Sequence, residues 1–195
     1  MPENNQINKG DFNKISSTAF NAIQTNAGML LNKFNPANPA TPADADIITA
    51  TTGGINVVCQ AEYTDYGEDI DNVPNNTKEL KQLSNWTCTM STTALELSAE
   101  VIRFALGAAD VDSNNSKIVP RRDLKGTDFA DIWWVGETLD GGWVAVRLIN
   151  ALSTDGFSLQ TTKDGKGQIS LTITGHVSIA AQNVTPMEFY YSPAA

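Results

Sequence analysis

The chain has 195 residues, and 13 Lys and Arg against 22 Asp and Glu give it a formal net charge of −9. A hydrophobic fraction of 41% with 18% charged residues is typical of a single globular domain and excludes a disordered chain. The pI near 4.5 argues against a protein that binds nucleic acid tightly, because such binding needs clustered Lys and Arg.

The sequence predicts a soluble protein that stays in the compartment where it is made. The first ten residues lack the apolar segment of a signal peptide, and no apolar run approaches the roughly 18 residues of a membrane-spanning helix. In a reducing compartment, Cys59 and Cys88 are expected to remain two buried thiols rather than a disulfide.

The first 45 residues are predicted to form an arm that leads into a single β-sandwich domain over residues 46–195. Pro36, Pro39 and Pro42 exclude a continuous helix and favour an extended connector. The arm carries apolar side chains that need a docking surface, on the same chain or on a neighbour. They are Phe12, Ile15, Phe20, Ile23, Met29, Leu30, Leu31 and Phe34.

The body begins with β-rich sequence and a long acidic loop. Residues 47–52 and 55–63 are predicted to form a hairpin that turns at Gly53 and Gly54. Residues 64–77 are too charged and too rich in turn residues for regular structure. A loop of this length in a compact domain usually has a function.

One helix is predicted, over residues 92–107. Thr93 and Glu96 match a capping box, apolar residues follow with helical spacing, and Gly107 provides the stop.

The second half returns to strands. Residues 131–137 and 143–150 flank a glycine turn, and residues 168–179 alternate apolar with polar side chains. With no internal repeat and no alternation of strands and helices, the pattern favours an antiparallel β-sandwich with one flanking helix.

Catalytic and metal motifs are missing from the sequence, so we predict a protein that is not an enzyme and holds no cofactor or metal. His176 is the single histidine, and it alternates with Ser and Thr on the polar side of a predicted strand. A calcium site at Glu68, Asp69 and Asp71 is an alternative, although a solvated acidic loop is the commoner outcome.

A carbohydrate-binding surface is a second alternative. Trp133, Trp134 and Trp143 are close in the sequence, but adjacent residues of a strand point to opposite faces, which fits one core and one interface aromatic better.

The acidic loop could instead form ion pairs with a neighbouring subunit. Together with the arm, it supplies the candidate subunit interface. The predicted interface residues are Phe12, Phe20, Ile23, Leu30, Leu31, Asp65, Glu68, Asp69, Asp71, Lys78 and Lys81.

Several segments, taken in their order along the chain, resemble the major tail tube proteins of long-tailed bacteriophages. They are residues 23–31 with 34–36, 51–55, 63–72, 106–110, and the hairpin that contains 128–134 and 140–143.

The resemblance implies a non-enzymatic virion protein of the tail, assembled in the bacterial host cytoplasm. It would form homohexameric rings that stack into a tube, with partners such as the tape measure, terminator and distal tail proteins. Phage DNA would pass through the lumen without specific binding, and no membrane would be involved. A tube, baseplate or terminator subunit of a contractile phage-like machine remains a related alternative.

Overall fold

The computed structural model describes residues 15–16, 18 and 20–192, and this part of the chain is mainly β with one α-helix. All of its strand pairs are antiparallel. The strands are β1 (Met29–Leu31), β2 (Thr51–Asp65), β3 (Lys81–Ala94), β4 (Ala109–Asp112), β5 (Lys117–Pro120), β6 (Ala130–Glu137), β7 (Trp143–Ser153), β8 (Leu159–Gln160), β9 (Gln168–Thr174) and β10 (Met187–Tyr191), and the helix is α1 (Ala99–Leu106). No helix in these residues is long and apolar enough to cross a membrane.

Strand β7 belongs to two sheets. Its first part lies between β6 and β10, with β1 beyond β6, whereas Leu152 and Ser153 pair with β9 in the sheet β2-β3-β9. The change of sheet follows a bulge opposite Asp131, where Asn150 has a φ of +47°. The carboxylate of Asp131 accepts hydrogen bonds from the Asn150 backbone N–H at 3.1 Å and from Arg147 Nη2 at 2.6 Å. This bulge redirects the strand toward the second sheet.

The two sheets pack face to face around the main core, which confirms the predicted antiparallel, sandwich-like fold. A second core lies between α1 and the sheet of β3 and β9, and a third covers the outer face of β6 and β7. The main core contains Leu30, Cys88, Met90, Ile132, Val146, Leu148, Ala151, Ile173 and Met187.

The helix begins later than predicted. Strand β3 continues through Ala94, so Thr93 pairs with Thr52 and does not cap a helix. The N-cap is Ser98, whose Oγ accepts the Val101 N–H at 3.2 Å, while the predicted stop at Gly107 is confirmed, with a φ of +70°. The capping-box pattern at residues 93–96 was therefore outweighed by strand pairing.

The hairpin predicted over residues 47–63 is wrong. Gly53 and Gly54 lie within β2, where a bulge shifts the register against β3 and both residues have positive φ. The true hairpin joins β2 to β3, with the acidic loop at its tip.

The alternating strand predicted over residues 168–179 is shorter than expected. Ile169, Leu171 and Ile173 are buried as predicted, but β9 ends at Thr174, and Val177 and Ile179 are exposed. A Cβ atom at Gly175 would lie 2.8 Å from the Pro186 carbonyl oxygen, so the chain after β9 passes this carbonyl too closely for a side chain.

The arm does not stay apart from the body. Leu30 and Leu31 are 1% and 0% exposed, in the main core and in the core on the outer face of β6. We therefore remove both residues from the expected subunit interface, because their docking surface belongs to their own chain. Gly28 permits this docking, since its φ is +73° and a Cβ there would stand 2.7 Å from the Val135 carbonyl oxygen.

Replacing Gly28 by Ala is expected to lower the melting temperature by about 4–8 °C more than Gly141→Ala does. Gly141 is a matched control, because it has a φ of +80° but nothing within 4 Å of an added Cβ. Thermal unfolding followed by circular dichroism measures the difference. Equal losses in the two variants would show that the close approach at Gly28 is unimportant.

A charged cluster joins the β4–β5 hairpin to the segment that follows it. The Arg121 side chain, 10% exposed, donates to Asp128 and lies 2.9 Å from Asp110 Oδ1, although Nε is not aligned there for a hydrogen bond. The Arg121 hydrogen bond lowers the pKa of Asp128, and the N–H of Lys125 lowers it further. The ionised form of Asp128 is therefore favoured by folding.

Because its pKa is lower in the folded chain, Asp128 stabilises the fold above the ordinary Asp pKa of about 3.9, and this contribution is lost as pH falls further. We expect the melting temperature of Asp128→Asn to depend less on pH between about 4 and 2 than that of the unaltered protein. Asp123→Asn is the control, since Asp123 is 70% exposed and lies 3.7 Å from Arg121. Identical pH profiles for all three proteins would contradict this role.

Candidate assembly interface

The end of the β2–β3 hairpin extends beyond the rest of its sheet. Strand β3 pairs with β9 only from Thr89 to Ala94, so residues 60–65 and 81–87 pair with each other alone; we call this part the ribbon. Its apolar side chains include Tyr63 and Leu83, both exposed. A two-stranded ribbon is marginally stable in water by itself, and Trp86 packs this one against the main core. Its exposed apolar side chains beyond Trp86 are suited to being covered by a partner.

The tip of the ribbon, residues 66–80, is organised by Asp65. The Asp65 carboxylate accepts the N–H groups of Gly67 at 2.9 Å and Asn76 at 3.0 Å, and Gly67 is buried beneath it. Lys81 donates to the Asn76 side chain at 2.8 Å. Two of the predicted interface charges, Asp65 and Lys81, therefore have partners within their own loop.

Three other acidic residues of the tip, Glu68, Asp69 and Asp71, are exposed. Within the described residues, none of the three has a cation at salt-bridge distance, and Lys78 lies 3.7 Å from Glu79. The same residues include no group of three acidic, Cys or His side chains able to hold a metal ion. The calcium alternative thus has no assembled site in this part of the chain, and the three charges are available to a partner.

The N-terminal segment is hydrogen-bonded to the β6–β7 turn through the carbonyls of Asn21 and Ile23. From Gln24 onward it lies along β6, with the Thr25 N–H donating to the Glu137 carbonyl at 2.9 Å. Before that point Ile15, Phe20 and Ile23 are exposed, while Phe12 lies outside the described residues. Phe20 and Ile23 therefore keep the exposure that an interface role requires.

Strands β2 and β10 are among those that keep one edge without a partner in the described chain. Strand β2, with 15 residues, pairs with β3 on one side only, and β10 pairs only with β7. Phe189 and Tyr191 on β10 are exposed. Such edges present unpaired N–H and C=O groups that can bind another strand.

The outer face of the β2-β3-β9 sheet is polar and nearly uncharged; we call it the hydroxyl face. Along each strand, the residues of this face alternate with residues that point into the core, because successive side chains of a strand point to opposite sides. It contains Asn56, Val58, Gln60, Glu62, Thr87, Thr89, Ser91, Thr93, Ser170, Thr172 and Thr174. Neither Lys nor Arg occurs among these residues.

The tryptophans do not form a carbohydrate platform. Trp133 and Trp134 point to opposite faces as predicted: Trp133 is buried in the core on the outer face of β6, and the half-buried Trp134 packs against the main core. Phe34 packs edge-on against Trp133 and Trp143, with centroids 5.6 and 5.4 Å apart.

His176 lies just after β9, not on a strand face, and its ring contacts neighbouring residues of the fold. Its Nδ1 is 3.1 Å from the Asn150 carbonyl oxygen, and its ring packs edge-on against Phe129.

Sequence reasoning missed two features of this surface. Strand β10 was not predicted, although Met187 to Tyr191 is rich in aromatic residues that favour strands. The hydroxyl face was recognised only along β9, because the pairing of β9 with β3 and of β3 with β2 is needed to place their Ser and Thr residues side by side.

No protein-family model matches this sequence, and no curated protein matches it. Among solved structures, the chain is similar to one chain of "Virion of native gene transfer agent (GTA) particle", with a TM-score of 0.43 and 7% sequence identity over 86% of this chain and 96% of that chain. A TM-score of this size is too low to carry a functional argument.

Replacing Asp65 by Ala is expected to open the tip, because two backbone donors lose a carboxylate acceptor. A loss of about 2 kcal/mol would make the amides of Gly67 and Asn76 exchange hydrogen about 30 times faster. Asp71→Ala, which removes an exposed carboxylate from the same loop, should leave both rates unchanged. Unaltered exchange in Asp65→Ala would show that the tip is held by other contacts.

Proposed function

We propose that this chain is a structural virion protein, the repeating subunit of a phage tail tube. Copies would associate edge to edge into a homohexameric ring, and the rings would stack into a tube through which DNA passes. The hexamer and the stacking follow from the resemblance of the sequence to tail tube proteins. The protein would act without catalysis or a cofactor.

The open edge of β2 is the observation that carries the proposal. A 15-residue strand with one free edge is a hazard for a protein that stays monomeric, since it invites uncontrolled pairing. In a closed ring, a neighbouring copy would pair with this edge, and every copy would bury the same pair of surfaces. The length of the strand would give the contact many backbone hydrogen bonds.

We propose that the hydroxyl face lines the lumen. Binding of DNA phosphates depends on Lys and Arg that displace counterions. The hydroxyl face offers phosphate no Lys or Arg, since its polar groups are hydroxyls, amides and the Glu62 carboxylate. The net charge of −9 adds repulsion. DNA would therefore pass without adhering.

Ring stacking is assigned to the ribbon tip and the exposed start of the arm. Glu68, Asp69 and Asp71 would orient the contact through ion pairs, while Phe20 and Ile23 would bury apolar surface against the next ring. The tape measure, terminator and distal tail proteins would bind at the ends or within the lumen of the same assembly.

Negative-stain electron microscopy with light scattering tests the function directly. Hollow tubes are expected after concentration of the purified protein. Single rings that never stack would favour the terminator or baseplate alternative, and a monomer under all conditions would contradict self-assembly of this chain.

Neutralising the three free acidic residues with Glu68→Gln, Asp69→Asn and Asp71→Asn is expected to shorten the tubes or abolish them. The melting temperature of the monomer should change by less than about 2 °C, because the three side chains are exposed. Glu100→Gln, Asp155→Asn and Asp164→Asn together form the control, since they change the net charge equally at exposed positions elsewhere. Tubes of equal length from both triple variants would refute the stacking role.

A variant that begins at Asn21 tests the arm without disturbing the fold. It keeps the hydrogen bonds by which the carbonyls of Asn21 and Ile23 accept the N–H groups of the β6–β7 turn, at 3.3 and 2.9 Å. We expect a folded chain with an unchanged melting temperature that forms rings but no long tubes. Tubes of ordinary length would remove residues 1–20, Phe20 included, from the stacking contact.

A further inference from the structure

We propose that Cys59 and Cys88 form an intramolecular disulfide when the folded chain meets a small-molecule disulfide, and that this bond fastens the base of the ribbon. The inference is independent of the proposed function, because it concerns the single chain. It also differs from the expectation drawn from the sequence, which left both cysteines as thiols.

The geometry of the two thiols supports the bond. Cys59 and Cys88 are direct cross-strand partners on β2 and β3, and their Sγ atoms are 3.5 Å apart. Directly opposed residues of an antiparallel pair have Cα atoms about 4.5–5.5 Å apart, which lies within the range that disulfides span. Bond formation then requires the two side chains to rotate until the Sγ atoms reach the S–S bond length of about 2.05 Å.

The position of the pair gives the bond a mechanical consequence. Thr89, the residue after Cys88, makes the last pairing of β3 with β9, and the Cys88 carbonyl accepts the Gly175 N–H at 2.9 Å. Residues 60–87, which include the ribbon and its tip, would all lie within the loop that the disulfide closes. The disulfide would thus hold the two strands together where the support of β9 ends.

The burial of the two thiols determines which cysteine reacts first. Cys59 is half-buried, whereas Cys88 is 1% exposed. Burial, together with the Cys59 thiol, raises the pKa of Cys88 to about 12, so Cys88 is the weaker initial nucleophile. Cys59 is therefore the residue that would attack the external disulfide.

The exchange balances in two steps. The Cys59 thiolate attacks one sulfur of the external disulfide, forms a mixed disulfide and releases one thiolate. Cys88, after losing its proton to solvent, attacks Cys59 Sγ and releases the second thiolate. Two protein thiols are oxidised and one external disulfide is reduced to two thiols.

Treatment of the native protein with 2-hydroxyethyl disulfide at mildly alkaline pH tests the proposal. We expect a mass loss of about 2 Da, a Cys59–Cys88 peptide in a non-reducing digest, and a melting temperature higher by on the order of 5 °C. Dithiothreitol should reverse all three changes. Two unreacted thiols in the native protein, a stable mixed disulfide, or a covalent dimer would each overturn the proposal.

Cys88→Ala is the control for the closing step. This variant should stop at a mixed disulfide on Cys59, with a mass gain of about 76 Da, and should gain no stability. Since Cys88 is buried, its replacement could unfold the chain, and Cys59→Ala provides a second test at a half-buried position. Cys59→Ala should remain unreacted while folded, and rapid modification of Cys88 in that variant would overturn the assigned order of attack.

Discussion

The bulge opposite Asp131 is the constraint on which the rest of the structure depends. One carboxylate accepts the Asn150 N–H and two guanidinium nitrogens of Arg147, so it fixes the point at which β7 leaves one sheet. Glu188 adds a second acceptor for Arg147 from β10, and these hydrogen bonds raise the pKa of the guanidinium. Because β7 then pairs with β9, the two sheets face each other and enclose a common core.

From this shared core the β2–β3 hairpin runs outward and changes character along its length. Near Met90 its inner face packs against Ile173 and against the sheet that contains β6 and β7, and β3 pairs there with β9. Beyond Cys88 the pairing with β9 ends; Trp86 still packs against the main core, and farther out aromatic and acidic side chains become exposed. The same two strands thus contribute the stable core at one end and an incomplete surface at the other.

The chemistry of the surfaces is divided in a way that suits assembly. Exposed apolar groups occur on the ribbon, on the start of the arm and on the edge strand β10, where a partner could bury them, and also on segments between strands, as at Leu139 and Ile179. The hydroxyl face contains neither these apolar groups nor cations. In the proposed tube subunit, this separation would favour association of copies over binding of DNA, because apolar burial drives association and clustered cations drive phosphate binding.

The sequence alone determined the antiparallel β class, the β6–β7 hairpin, the end of the helix at Gly107 and the acidic loop, because turn residues and side-chain alternation are local signals. Tertiary structure decided the rest. Gly53 and Gly54 suit a turn, yet they lie in a bulge because β3 pairs along the whole length of β2. Leu30 and Leu31 are apolar enough for an interface, yet their own sheet buries them. Strand pairing and burial join residues distant in sequence, and local patterns do not specify which surfaces meet.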